Sequence, residues 1–202
     1  RPIEQIKREM TPELRQSIVD GAYWLRKPGP NCQVVVAYTG AVAPEAIEAA
    51  GLLAEDRRGI GVLAATSADR LSAGWHAAQR AREHGDRGAK AHVERLLSVL
   101  PRDAAIVTVT DAYPEALSWI GGVCGHRVRA LGVEHFGQSG SLSELYGHYG
   151  LDVNAILTGE APPSWKMALT VLLGLFPTVM LLTIFVGPLT SPLCLAASML
   201  VG

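Results

Sequence analysis

Short apolar runs alternate with amphipathic segments along the first 157 residues. Four runs are continuous and rich in β-branched residues, and they cover residues 33–38, 60–66, 104–110 and 128–133. Their length and their Gly or Pro borders predict buried strands rather than helices. Because these runs are apolar throughout instead of alternating, the predicted sheet is covered on both faces, as mainly parallel sheets are.

Helical periodicity fills the intervals between these strands. Thr11, Pro12 and Glu13 predict a helix start, and Leu14, Ile18, Ala22 and Leu25 continue it at helical spacing up to Lys27 and Pro28. Further helices are predicted over 44–55, from the cap at Ser67 to 78, over 93–100, over 114–123, and from the capping box at Ser141 to Gly150. The sequence therefore predicts a three-layer α/β domain over 31–158, preceded by a lead-in helix within 1–30.

Every charged residue lies at or before Lys166. Residues 167–187 form an uncharged run, and a helix of that length spans about 30 Å, the thickness of a bilayer's hydrocarbon core. Residues 159–166 are a predicted linker that ends in Trp165 and Lys166, two side chains suited to the membrane interface. We therefore predict a transmembrane helix after the α/β domain, with a buried core helix as the alternative.

The last residues, 188–202, are apolar but too short to span a bilayer, so they are interpreted as the start of a second membrane segment. The Lys and Arg residues all lie upstream of the apolar run, which favours a cytoplasmic side for the α/β domain. Because the sequence begins at Arg1 and ends within an apolar run, it is interpreted as a fragment.

Composition narrows the function classes. The 18 Lys and Arg residues nearly balance the 19 Asp and Glu residues, so no nucleic-acid partner is expected. The three cysteines, Cys32, Cys124 and Cys194, are far apart and lack C-x-x-C spacing. They are interpreted as buried reduced thiols rather than as disulfides or metal ligands.

Polar side chains follow the predicted strands at their carboxyl ends, where open parallel sheets bind ligands. The candidates for a ligand or anion site are Ser67, Asp111, Glu134, His135 and Ser139. A hydrolase triad is disfavoured because Ser67 lacks a G-x-S-x-G elbow and is explained by helix capping. The loop before residue 141 leads to a helix N-terminus that could hold an anion, and a plain polar loop is the alternative. No catalytic residue or metal ligand is predicted.

Two long stretches carry a resemblance to a known family. Residues 31–75, NCQVVVAYTGAVAPEAIEAAGLLAEDRRGIGVLAATSADRLSAGW, resemble the C-terminal domain of transketolase-type enzymes. They are most similar to the homodimeric pyruvate dehydrogenase decarboxylating component. Residues 130–157 follow the same family's pattern Leu-Gly-x-Asp/Glu-x-Phe-Gly-x-Ser at Leu131, Gly132, Glu134, Phe136, Gly137 and Ser139.

This resemblance implies a thiamine diphosphate enzyme acting on a 2-oxo acid. In that family the cofactor and its magnesium bind between the first two domains of paired subunits, and neither domain is in this sequence. The resemblance therefore implies a domain that binds no cofactor by itself. Its expected partners are a second copy or the missing thiamine-binding domains.

The tail departs from that family. From Pro162, PPSWKMALTVLLGLFP resembles the membrane-helix tail of some bacterial antibiotic-biosynthesis-monooxygenase-like proteins. A gene fusion or an assembly artefact would each create this junction. Membrane lipid is therefore a further expected partner. The alternative function is a non-catalytic, membrane-tethered module that binds a partner or an anion.

Overall fold

The computed structural model describes residues 7–56, 59–135 and 139–158. Within these ranges the centre is a five-stranded sheet with the order β1-β3-β2-β4-β5. Its strands are β1 (Ala22–Arg26), β2 (Val34–Thr39), β3 (Gly61–Ala65), β4 (Ala105–Thr110) and β5 (Arg127–Leu131). Strands β2 to β5 pair in parallel, whereas β1 is antiparallel to β3. The predicted α/β fold with a mostly parallel sheet is confirmed.

Helices cover both faces of this sheet. They are α1 (Pro12–Val19), α2 (Ala43–Asp56), α3 (Ala68–Glu83), α4 (His92–Leu97), α5 (Glu115–Ser118), α6 (Gly121–Cys124), α7 (Leu142–Tyr149) and α8 (Val153–Thr158). The helix predicted over 114–123 is divided into α5 and α6, and α8 was not predicted. Gly125 ends α6 in the left-handed conformation, with φ of 76°, as expected of a terminal glycine.

Two separate apolar cores lie on the two faces, because successive side chains of a strand point in opposite directions. On one face Val35, Ala37, Leu63 and Ile106 pack with residues of α3, α4 and α5. On the other face Val34, Val36, Val62 and Val107 pack with residues of α2 and α8. The continuous apolar runs are explained by this double coverage.

The prediction that the first helix extends to Leu25 is wrong. Helix α1 ends at Val19, and Gly21 then has φ of 108°, a conformation that side chains other than glycine rarely adopt. The carbonyl oxygen of Gly21 accepts the N–H groups of Thr66 and Ser67. This turn directs the chain into β1, so residues 22–26 form an edge of the sheet instead of a helix.

Side chains close the outer edge of β1. His92 Nε2 lies 2.8 Å from the carbonyl oxygen of Ala22, and Arg8 Nη1 donates to the Trp24 oxygen at 3.4 Å. Arg8 Nη2 also donates to the Leu25 oxygen. Unpaired carbonyl groups on an edge strand invite pairing with another chain, and these contacts reduce that tendency.

The cysteine prediction is correct for one of the two described thiols. Cys32 is buried and its Sγ donates to the Val34 oxygen at 3.2 Å, but Cys124 is exposed at the end of α6. Both are free. Cys194 lies outside the described residues.

Among the helices of the described ranges, none has the length and apolar character that crossing a bilayer requires. The predicted membrane helix over 167–187, its interface residues Trp165 and Lys166, and the segment 188–202 lie outside the described residues.

Candidate functional site

Parallel pairing of β2 to β5 brings their carboxyl ends to one edge of the sheet, but it does not bring all the candidate residues together. Ser67 follows β3 and Asp111 follows β4, and β2 lies between those strands. Neighbouring strands are about 4.8 Å apart, so these two positions are separated by two strand spacings. Glu134 and His135 follow β5, at the edge of the sheet beyond β4.

Asp111 is held by the turn that follows β2. Its Oδ2 accepts the backbone N–H of Ala41 at 2.9 Å. Gly40 faces the same carboxylate with φ of 83°, and a Cβ atom at Gly40 would lie 2.0 Å from Asp111 Oδ1. The carboxylate therefore joins the end of β4 to the turn before α2 and serves the backbone of this domain.

Ser67 is likewise used by the fold. Its Oγ accepts the N–H of Arg70 at 3.3 Å and caps α3. The neighbouring Thr66 Oγ1 donates to the Ile18 oxygen at 2.7 Å. The capping role predicted for Ser67 is confirmed, and these contacts do not include a general base that would activate the hydroxyl as a nucleophile.

Glu134 and His135 line a cavity of about 430 Å³ between β5 and helices α7 and α8. Four other polar residues of this cavity, Arg129, His148, Tyr149 and Thr158, were not predicted from the sequence. The missed signal is in β5, where Arg127 and Arg129 are exposed while Val128 and Ala130 are half-buried. This period-two pattern marks an edge strand with a solvent-facing side, whereas residues 128–133 were predicted as a continuous apolar strand.

The described lining of this cavity combines cationic and hydrogen-bonding groups with one carboxylate. Arg129 supplies a permanent positive charge, and the imidazole rings of His135 and His148 can donate hydrogen bonds. Glu134 is the acidic residue among the described lining residues. His148 and Tyr149 form an edge-to-face ring pair with centroids 4.9 Å apart. Across the described ranges no group of three or more His, Cys, Asp or Glu residues could hold a metal ion.

The N-terminus of α7 is closed by its own capping box. Ser141 Oγ accepts the N–H of Glu144 at 3.4 Å, and Glu144 Oε2 accepts the N–H of Ser141 at 3.0 Å. The side-chain hydrogen bond from Ser141 is the largest cause that lowers the pKa of Glu144, and the backbone bond adds to it. Ser139 is exposed in the loop before this box. The capping box predicted at Ser141 is confirmed.

Tyr38 has a raised pKa because its side chain is buried. Burial on β2 raises the pKa of its hydroxyl to about 12, with a smaller contribution from Tyr23 and an opposing one from Arg8. The phenol therefore stays neutral at physiological pH and cannot act as a base there.

These observations define a three-layer α/β domain with an open, mostly parallel sheet. Two of its described polar side chains at the strand ends, Ser67 and Asp111, accept backbone N–H groups of the domain itself. The family model described as the transketolase-like TK C-terminal domain matches residues 21–152, which is more than half of the chain. The chain therefore belongs to the transketolase-like C-terminal domain family, and that part of the resemblance is confirmed.

A second family model, described as the Y2318 C-terminal domain, matches residues 161–202. An uncharacterized protein of Synechococcus elongatus is 58% identical to this chain over 41 residues, which are 20% of this chain and 20% of that protein. The chain thus matches about a fifth of the length of this relative.

Solved transketolases are similar to the chain over part of their length. The enzyme of Campylobacter jejuni is 20% identical, with a TM-score of 0.46, over 69% of this chain and 18% of that chain. The enzyme of Leishmania mexicana is also 20% identical, with a TM-score of 0.47, over 70% of this chain and 18% of that chain.

Proposed function

We propose that this chain is the C-terminal domain of a thiamine-diphosphate-dependent 2-oxo acid dehydrogenase component and that it is not catalytic alone. Its task is to support the cofactor-binding domains, which a second copy or sequence outside these 202 residues supplies. The resemblance of residues 31–75 to the homodimeric pyruvate dehydrogenase component supports the 2-oxo acid dehydrogenase branch, and residues 130–157 follow the pattern of the family.

The observation that carries this proposal is the hydrogen bond from Ala41 to Asp111. Asp111 is the acidic residue that directly follows an interior strand, and its carboxylate already binds a backbone N–H and lies against Gly40. An acid used in this way stabilises a turn. That structural use explains the acid at this strand end without a catalytic role.

Thiamine diphosphate with magnesium does not fit the described residues. The metal needs one or two carboxylates beside the diphosphate oxygens, in near-octahedral geometry. Asp111 and Glu134 follow neighbouring strands, and the N–H of Val133 donates to the Ala112 oxygen at 2.9 Å. Even so, the described residues include no group of three or more His, Cys, Asp or Glu that could hold a metal ion, and Asp111 Oδ2 is engaged by Ala41. We therefore assign no cofactor contact to this chain.

An apolar groove offers a surface for the missing domains. The groove has a volume of about 680 Å³ beside β1 and α4, and its lining includes Trp24, Leu96 and Val99. Val99 is 58% exposed and Trp24 is half-buried. Apolar side chains grouped at a concave surface favour burial against another domain.

A reconstitution experiment tests the proposal. The full chain is mixed with a homodimeric pyruvate dehydrogenase component that lacks its own C-terminal domain, and pyruvate-dependent ferricyanide reduction is measured. We expect the mixture to recover activity, and we expect Val99→Asp to reduce the recovery at least about tenfold, because it places a charge in the apolar groove. The chain alone should show no activity and bind thiamine diphosphate with magnesium no tighter than millimolar by calorimetry.

The controls separate the parts of this proposal. Arg102→Asp also adds an acid at an exposed position but lies outside the groove, so it should recover activity like the wild type. A truncated transketolase replaces the truncated dehydrogenase component in a parallel assay. Recovery there alone would contradict the 2-oxo acid branch. Micromolar cofactor binding by the chain alone would contradict the non-catalytic role.

The cavity beside β5 favours a second candidate function, a non-catalytic module that binds an anion or a partner. This cavity is lined by three side chains that can carry positive charge or donate hydrogen bonds, namely Arg129, His135 and His148. Failure of every reconstitution, together with saturable binding of a small carboxylate that is lost in Arg129→Gln, would favour this function.

We also propose that residues 167–187 anchor the α/β domain to a membrane with the domain on the cytoplasmic side. Support comes from the absence of charge after Lys166 and from the division of the chain into units 1–160 and 161–202. The second family match begins at the same residue, 161. We accordingly propose 31–158 as the α/β domain, 159–166 as a linker, and 188–202 as part of a second membrane segment.

Membrane fractionation tests the anchor. The full chain expressed in bacteria should sediment with membranes and resist carbonate extraction, because about 30 Å of uncharged helix is stable in hydrocarbon. A chain ending at residue 160 is the matched control and should stay in the supernatant. Recovery of the full chain as a detergent-free soluble monomer would contradict the anchor.

A further inference from the structure

A basic cavity lies away from the strand ends, between the loop that follows α3, helix α4 and the end of α6. Its volume is about 330 Å³. Its lining includes Arg82, Arg87, Lys90, Glu94, Arg95 and Cys124. Four of these side chains are basic and one is acidic, although the whole chain is nearly neutral. Positive charge is therefore concentrated at this concave surface.

The acidic residue of the cavity is already neutralised. Arg82 Nη1 donates to Glu94 Oε2 at 3.1 Å, and Arg82 Nη2 lies 3.1 Å from Glu94 Oε1. The N–H of Ala91 also donates to Glu94 Oε2 at 2.7 Å. Burial is the largest single influence on the pKa of Glu94 and raises it, but these bonds and the charges of Arg82 and Lys90 outweigh burial and lower the pKa. Arg82 and Glu94 thus form a closed pair in the cavity wall.

The other three cations keep an unbalanced charge. In the described part of the chain, no ion pair involves Arg87, Lys90 or Arg95. Arg95 Nη1 donates to the backbone oxygen of Lys90 at 2.8 Å, which orients its guanidinium group beside the loop. Three cations that line one cavity repel each other, and a bound anion would relieve that repulsion.

We propose that this cavity binds a small phosphate-bearing anion through Arg87, Lys90 and Arg95. A phosphate dianion balances three cations better than a monovalent carboxylate does, and the planar guanidinium group matches two phosphate oxygens at once. The volume corresponds to a small metabolite rather than a polymer, since pockets for small molecules begin at about 300 Å³. This site lies away from the strand ends and shares Arg95 with the lining of the apolar groove. Its argument uses only the charges of the basic cavity and does not depend on the proposed function.

Cys124 provides a reporter at the cavity. Burial raises the pKa of its thiol, and the nearby charge of Glu94 raises it further. The side chain is nevertheless exposed, so a neutral alkylating reagent can reach it. A phosphate group in the cavity would cover the thiol and, by adding negative charge, would disfavour the reactive thiolate. Both effects slow alkylation.

The test uses the full chain with Cys194→Ser, so that iodoacetamide reports on Cys124 while Cys32 is buried. Inorganic pyrophosphate is titrated at constant ionic strength. We expect the alkylation rate to fall saturably. We expect the half-saturating concentration to rise at least about tenfold in Arg87→Gln/Lys90→Gln, because two charge-assisted contacts are lost.

Two comparisons make the result specific to the cavity. Arg102→Gln/Arg127→Gln removes the same charge from exposed positions outside the cavity and should leave the half-saturating concentration unchanged. Acetate at equal ionic strength should give no saturable protection. The proposal is overturned by a rate insensitive to pyrophosphate, by equal protection with acetate, or by equal losses in both double variants. Matching melting curves for the double variants verify that both are folded.

Discussion

Replacement of Ile106 by Asp should abolish cooperative folding of the α/β domain. Ile106 is fully buried on β4, which is paired with β2 on one side and β5 on the other. The change removes a large apolar side chain from the core and places a carboxylate there without a partner. The cost of an unpaired buried charge is several kcal/mol, on the order of a small domain's whole stability.

Urea unfolding followed by far-UV circular dichroism measures this effect. The wild type should show a cooperative transition and Ile106→Asp should show none. Val99→Asp is the matched control, because Val99 is 58% exposed, and its free energy of unfolding should change by no more than about 0.5 kcal/mol. A near-normal transition for Ile106→Asp would mean that β4 is placed incorrectly.

Replacement of Gly40 by Ala should destabilise the domain by about 2.5–5 kcal/mol. Gly40 has φ of 83°, and a residue with a Cβ atom is strained there by about 1–2 kcal/mol. The new methyl group would also displace the Asp111 carboxylate from the Ala41 N–H. Losing a hydrogen bond to a charged group costs about 1.5–3 kcal/mol.

The measurement is the shift in urea midpoint at unchanged slope. Gly74→Ala is the matched control, since Gly74 lies within α3 and a Cβ atom there meets nothing within 4 Å. That control should be stabilising by about 0.5–1 kcal/mol, because Ala is the better helix former. Equal midpoints for Gly40→Ala and the wild type would contradict the assigned role of Asp111.

The interior strands were predictable because burial on both faces requires apolar residues at consecutive positions. Strands β2, β3 and β4 are apolar at nearly every position. Apolar runs this short between Gly or Pro borders indicate buried strands, because helices are usually longer. Strand β1, with the sequence AYWLR, has no such continuous apolar run. Its Ala22 and Leu25 happen to continue the helical spacing of α1, and the conformation of Gly21 decides against the helix.

The contacts of the candidate site were predictable only where they are local. Ser67 caps the helix that begins at the next residue by accepting an N–H three residues away, and a Ser before a helical pattern predicts such a cap. Asp111 binds an N–H that is 70 positions distant, and the alignment of Thr39 with Thr110 across β2 and β4 brings them together. Periodicity along the chain contains no information on that alignment.

The strand order has a consequence for synthesis of the chain. Strands β1, β2 and β3 all precede residue 66, and they can pair with one another as soon as they leave the ribosome. The second edge of β2 must then wait for β4, which ends at Thr110. At about 5–20 residues per second the wait lasts several seconds. During that time an apolar, valine-rich edge is open to other nascent chains, so we expect this domain to depend on chaperones that bind early in translation.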